Sequence, residues 1–208
     1  CDPQAVATIG DLFLRGTYNP EVVIALAGSE VQKPCYYKVI RGTNISSLVK
    51  DNVSEGYLRY ISGNVLTGDK IDKDGYLGFY HNMFTVIPEG NVHAFLGWLI
   101  PSPKKHSFFR TALSWLTPNK EYALNTNLNG GERAFVITGE LEKVFPMDIY
   151  PQQLLKSIII EDIDQMEQLG IYEVDPEDFA LCEYISPSKI NMQEIIANGV
   201  EMMRKEMS

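Results

Sequence analysis

Eight positions in the last third of the chain carry the spacing of an iron–sulfur motif, and one of them carries a thiol. Residues 135–155 read FVITGELEKVFPMDIYPQQLL, and residues 176–196 read PEDFALCEYISPSKINMQEII. At an offset of 41, Glu142 falls on Glu183, Pro146 on Pro187, Ile149 on Ile190 and Gln152 on Gln193. Val144, Leu154 and Leu155 fall on Ile185, Ile195 and Ile196. Both segments fit the frame C-x2-C-x2-C-x3-C-P, in which thiolates hold iron–sulfur clusters. The cysteine places hold Phe135, Thr138, Leu141 and Phe145 before Pro146, then Pro176, Phe179, Cys182 and Ser186 before Pro187. A cluster of this type needs four thiolates, so the chain cannot hold one alone. The competing reading is a chance likeness between two amphipathic helix pairs.

Cys182 is the one candidate ligand- or partner-proximal residue. It lies on a predicted helix between Leu181 and Glu183. Its plain alternative is a small buried side chain. A neighbouring Glu183 carboxylate would raise the thiol pKa, which disfavours a reactive thiolate. The other cysteines, Cys1 and Cys35, are distant in sequence and form no CxxC pair. That pattern suits a reducing compartment and no disulfide framework.

Other motifs fail on their own terms. Lys70-Ile71-Asp72-Lys73-Asp74-Gly75 brushes a calcium loop, but a lysine stands at position 1 and His81 at position 12. A polar hairpin turn is the better reading. His81, His93 and His106 have no ligand-type partner in helical register. Gly130-Gly131 is followed by Glu132 and Arg133, so no phosphate cradle is indicated. Phe79, Tyr80, Phe84, Phe95, Trp98, Phe108, Phe109 and Trp115 read mostly as core, although an aromatic cleft could hold a quinone ring. No catalytic, cofactor-binding or metal-binding residue is assigned.

The elements that must position these residues follow from patterning. Asp2-Pro3 opens a helix whose Val6, Ile9, Leu12 and Phe13 recur at helical spacing until Thr17-Tyr18-Asn19-Pro20. We read it as the tail of an upstream domain outside this chain. Strands are expected at 22–28, 34–40, 59–66 and 78–87, with a short helical stripe through Ile45, Leu48 and Val49. Two strands, a helix and more strands is the order of a β-grasp module. Pro101-Ser102-Pro103 marks a linker, 107–116 a helix and 119–131 a loop. From about 132 onward the pattern is helical, with Pro151 and Asp175-Pro176 as helix starts and a last helix over 192–205. The domains expected are 1–18, 19–100 (β-grasp) and 101–208 (helical).

The net charge of −9 is unevenly placed. Residues 1–129 hold 12 basic and 11 acidic side chains, whereas 130–208 hold 6 and 16. An acidic C-terminal part disfavours nucleic acid and anionic lipid. No apolar run reaches the roughly 18 residues that a membrane-spanning helix needs.

Val23-Ile24-Ala25-Leu26-Ala27-Gly28, Tyr60-Ile61-Ser62-Gly63-Asn64-Val65-Leu66-Thr67-Gly68 and Phe95-Leu96-Gly97-Trp98-Leu99 are more specific than any of these motifs. Asn129-Gly130-Gly131-Glu132-Arg133-Ala134 and Pro146-Met147-Asp148-Ile149-Tyr150-Pro151 add to them. Together they make the chain resemble the A-subunit family of sodium-translocating NADH:quinone reductases, over the C-terminal half. The chain is also similar to the flavin-bearing subunit of respiratory complex I and to the C-subunit of Rnf-type electron-transport complexes. In the Rnf-type protein, the run ending in Cys-Pro and followed by Pro-Gln-Gln-Leu carries clusters. Here Phe145-Pro146 and Pro151-Gln152-Gln153-Leu154 keep that frame without ligands.

The resemblance implies an α+β chain: a β-grasp domain of the soluble-ligand-binding type, then a helical domain like a degenerate α-helical ferredoxin. It implies a non-redox accessory subunit without cofactors, peripheral on the cytoplasmic face of the bacterial inner membrane. Its partners would be the other reductase subunits, including integral membrane ones, with quinone as substrate of the complex. The rival is a stand-alone β-grasp ligand-binding module. A working ferredoxin-type carrier is excluded by the ligand count unless another chain supplies thiolates.

Overall fold

The computed structural model describes residues 2–90, 106, 108, 113–134 and 139–207. His93, Phe95, Trp98, Phe109, Phe135, Thr138, the 101–103 linker and most of the predicted 107–116 helix lie outside them; Leu113–Leu116 is a 3-10 turn. The chain divides into two compact units: 1–91 with 123–127, and 92–122 with 128–208.

The first unit is built on five strands: β1 Glu21–Ala27, β2 Cys35–Ile40, β3 Leu58–Ser62, β4 Asp69–Ile71 and β5 Met83–Pro88. Their order is β2-β1-β5-β3-β4. β1 runs parallel to β5 at the centre, with Leu26 opposite Phe84, and the other pairs are antiparallel. In β1, Val22, Ile24 and Leu26 alternate into the core, as period-2 patterning requires. They meet Ile45 and Val49 of the one-turn helix α2 (Ser46–Val49) and its start, with Leu77, Phe84 and Val86. Asn44 opens that turn, its Oδ1 accepting from the Ser46 amide at 2.9 Å.

Two strands are shorter than patterning suggests. β3 stops at Ser62 because Gly63 takes φ +100° and Asn64 folds back, its Oδ1 accepting from the amides of Leu66 and Thr67. Residues 78–82 form a turn instead of a strand, which begins only at Met83. Lys70 and Ile71 lie in β4, and the hairpin turn is confined to Asp72–Gly75, closed by the Gly75 amide on Asp72 O at 2.8 Å.

The helix α1 (Pro3–Arg15) belongs to this unit. Asp2 caps it, accepting from the Gln4 amide at 2.8 Å, and Gly16 ends it in the left-handed region.

The second unit holds the helices α3 Pro151–Ile159, α4 Ile163–Gln168, α5 Ala180–Ile185 and α6 Met192–Glu206. Short 3-10 turns lie at Leu141–Lys143, Ile171–Glu173 and Pro176–Phe179. Among the described residues of this stretch, helical structure begins at Leu141, not at 132; residues 128–134 have none. There the Arg133 amide donates to Ser188 O at 2.9 Å. The core gathers Leu154, Leu155, Ile158, Met166, Ile171, Phe179, Met192, Ile196 and Met203.

Candidate functional site

Most described places of the cysteine frame lie together in the second core. Leu141, Phe145, Phe179 and Cys182 are buried in it, and Ser186 is buried just past α5. Pro176, at the first place of the second run, is half-buried. Cys182 and Leu141 are equivalent places of the two repeats, and the Cys182 thiol points at Leu141 O at 3.8 Å. The Phe145 and Phe179 rings lie 4.7 Å apart between centroids, tilted by 52°. Repeat-equivalent places also meet where α3 and α6 cross. A Cβ on Gly199 would lie 2.8 Å from Cδ1 of Ile158, its counterpart 41 residues earlier.

Cys182 is wholly buried. Its thiol is pushed up to about 12, first by burial and second by the charge of Glu142. The sequence points instead to the adjacent Glu183. That carboxylate is turned to the start of α6, where its Oε2 accepts from the Gln193 amide at 3.1 Å and from Nε2 at 3.4 Å. It therefore satisfies an amide of the first helical turn that has no partner within the helix. A thiol held protonated at neutral pH is a poor nucleophile.

Two polar constellations in the first unit escape sequence reading. Ser62, buried at the end of β3, accepts from the Gly78 amide at 2.8 Å and lies 2.7 Å from His81 Nδ1. Gly63 and Gly78 leave room for the ring: a Cβ on Gly78 would stand 2.7 Å from Nδ1. His81 thus closes a turn and is not an alternating strand residue.

The other is Glu89. It forms a two-point pair with Arg59 and accepts from the Thr126 hydroxyl at 2.6 Å. The Arg59 guanidinium holds its carboxyl at about 2, with burial opposing and Thr126 and Lys70 assisting. No sequence motif links positions 30 and 37 residues apart. The pair fixes the end of β5, because the Gly90 amide also donates to Thr126 Oγ1.

Among the described residues, no three His, Cys, Asp or Glu side chains come together as a metal site. Of the aromatics expected in the core, Phe84 is buried and stacks on Tyr60 at 6.3 Å. Phe79, Tyr80, Phe108 and Trp115 are exposed. Phe79 and Tyr80 sit in the turn before β5, where the Arg41 guanidinium lies 4.9 Å over the Phe79 ring.

The fold is that of an α+β protein with a five-stranded mixed sheet and a helical unit with an apolar core of its own. Residues 23–73 match the family described as the NQRA C-terminal domain. Over 204 residues, 98% of its length, the chain is 41% identical to the Na(+)-translocating NADH-quinone reductase A-subunit of Neisseria meningitidis serogroup B. It is 41% identical to the Haemophilus influenzae counterpart over 205 residues and 39% identical to that of Neisseria gonorrhoeae over 204. The chain belongs to this A-subunit family, in the part that carries the C-terminal domain. It spans about half the length of these relatives, 46% of the first. Among the described residues, no helix is long and apolar enough to cross a membrane.

Proposed function

We propose that this chain is a non-redox, architectural part of the A-subunit in a sodium-translocating NADH:quinone reductase, and that it holds no iron–sulfur cluster. The observation that carries this is the filling of the cluster frame. Leu141, Phe145, Phe179 and Cys182 are packed into one core, with the single thiol buried and protonated. The helical unit is read as a degenerate α-helical ferredoxin. Support comes from the contact between repeat-equivalent places, Leu141 with Cys182 and Ile158 with Gly199. The first unit is read as a β-grasp module, which the central parallel β1–β5 pair flanked by antiparallel strands supports.

The partners proposed are the flavin- and iron–sulfur-bearing subunits that the reductase's chemistry requires, including integral membrane ones. The location proposed is the cytoplasmic face of the bacterial inner membrane. Quinone enters as the substrate of the whole complex. The test is recovery of the full-length protein from native membranes in mild detergent, with mass spectrometry of its companions. Its iron content is assayed after separation. Reductase companions, with no iron in this polypeptide, are the expected result. Recovery without membrane companions would overturn the reading and leave a stand-alone ligand-binding module. Stoichiometric iron would overturn the cluster-free part.

A further inference from the structure

The helix α1 is amphipathic, but it is mounted the wrong way round for this chain. Its half-buried residues include Gln4, Thr8 and Asp11, which form one polar face at helical spacing. Gln4 sets that orientation. Its Nε2 donates to Val23 O at 2.7 Å and its Oε1 accepts from the Val23 amide at 2.8 Å. The side-chain amide thus pairs with β1 where the β5 ladder has not yet begun, since that ladder starts at Ala25. Asp11 is tied to Arg15 on the same face at 2.8 Å.

The apolar stripe is what faces away. Val6, Ile9, Leu12 and Phe13 fall within about a third of the helix circumference. They are 57%, 49%, 40% and 85% exposed, and no residue of α1 is buried. A surface helix ordinarily buries this stripe and exposes its polar residues. A helix of 13 residues with one anchoring pair and a bare apolar face is marginal in water by itself.

We propose that the apolar stripe of α1 docks on the N-terminal half of the A-subunit, the part of the family's members that this chain does not span. The proposal rests on the family assignment. The relatives carry more than half of their length outside the match, and the match contains the domain described as C-terminal. In those relatives the rest of the molecule and the matched part are one polypeptide. A covalently joined partner is present at high effective concentration, which favours it over a second copy or a separate protein. The occupant is an apolar surface, because the helix carries no charge between Val6 and Gly10 and only aliphatic and aromatic groups on its outer arc. The helix then bridges two domains, polar face to this sheet and apolar face to the other domain.

The test is hydrogen exchange on the free, full-length A-subunit, before any assembly with the rest of the reductase. Amides of 6–14 should exchange about tenfold or more slowly than those of a helix open on one face, at every protein concentration. Ile9→Asp with Phe13→Asp should abolish that protection and speed proteolysis at 17–20 about tenfold, with the exchange of β1 and β5 unchanged. Fast exchange of α1 in the free protein would overturn the proposal. Protection that rises with concentration would overturn it in favour of a second copy. Protection present only in the assembled reductase would overturn it in favour of a different polypeptide. Failure to recover reductase companions would sink the proposed function without touching this result, which needs the single chain only.

Discussion

Gly199 brings α6 into close contact with α3, so a single methyl there tests how the second unit is held together. A Cβ at Gly199 would meet Cδ1 and Cγ1 of Ile158 at 2.8 Å and Cγ2 at 3.1 Å. These atoms belong to a buried side chain in a close-packed core. Two effects oppose each other in Gly199→Ala. Alanine favours a helix interior over glycine by about 1 kcal/mol. Overpacking costs about 1–3 kcal/mol, and the net expected is a loss of up to about 2 kcal/mol.

Ile158→Ala alone opens a cavity and costs about 2–4 kcal/mol. In that background the clash is gone, so Gly199→Ala should stabilise by up to about 1 kcal/mol. The two sites should then couple by about 1–3 kcal/mol in a double-mutant cycle. Cys182 supplies the assay. With Cys1 and Cys35 changed to Ser, it is the one thiol left, and it is wholly buried with its pKa pushed up to about 12. Only opened molecules react with a thiol reagent, and each 1.4 kcal/mol of destabilisation speeds labelling about tenfold. Gly199→Ala should speed labelling in the parent and slow it in the Ile158→Ala chain. Slower labelling in both backgrounds would show that helix propensity alone decides, and that the close crossing is not a constraint.

Two further outcomes concern the first unit. Gly28→Ala should unfold the sheet, because φ is +120° and a Cβ would stand 2.0 Å from the Val86 carbonyl oxygen, which is backbone and cannot swing aside. We expect a loss above about 3 kcal/mol, against about 1 kcal/mol for Gly42→Ala, whose φ is +78° in open space; equal losses by hydrogen exchange of β1 and β5 would refute the contact argument. Glu89 is held at about 2 by Arg59, below its ordinary 4.5, so its pairing contributes fully above pH 4.5 and is lost as pH falls from there toward 2. The side chain is 9% exposed and Arg59 27%, so screening keeps the contribution to about 1–3 kcal/mol. The stability gap between the parent and Glu89→Gln should therefore close over that window in acid titrations of unfolding; a gap constant with pH would remove the ion pair from the account.

The parts legible in the sequence are those with a local cause. Asp2-Pro3 and Pro151 mark helix starts because capping and proline chemistry act within a turn. The alternation of Val22, Ile24 and Leu26 marks β1 because one face of the sheet is buried. What escapes depends on special backbone or on pairs distant in sequence. β3 reads four residues too long because Tyr60 to Leu66 is rich in strand formers, whereas Gly63 at φ +100° and the Asn64 turn end it. His81 reads as a strand residue because its partner, Ser62, lies 19 positions away. The exposure of Phe79 and Tyr80 is illegible for a similar reason: Arg41, over the Phe79 ring, follows β2, far from them in sequence. For Cys182 the direction of the pKa shift, caused first by burial, is legible, but the charged residue that adds to it is not. Glu142, 40 positions away, supplies the charge because the repeat brings its two halves together.

On the cluster-free reading proposed above, the frame positions account for what holds the helical unit together. In two-cluster ferredoxin runs, the fourth cysteine of each run ligates the cluster of the other. The fourth place of the first run here is Phe145, and the side chain it packs against is Phe179, from the second run. On the same reading this aromatic contact stands where the crossed ligation would be, and it ties the two segments together. Metal–thiolate bonds contribute folding energy directly in small metal-bound domains. A buried Leu or Phe contributes about 1.5–3 kcal/mol by leaving water, and Leu141, Phe145 and Phe179 occupy three such places. A thiol beside them at Cys182 is permissible because a protonated cysteine packs as a small apolar group. Replacing Phe145 by Cys would then add a thiol beside Phe179 without restoring a ligand set, and would cost about 3 kcal/mol or more by leaving a cavity. Thermal unfolding with and without added iron checks this: a Phe145→Cys chain that iron stabilises would refute it. On that reading the shape of the unit depends on the bulk of these side chains.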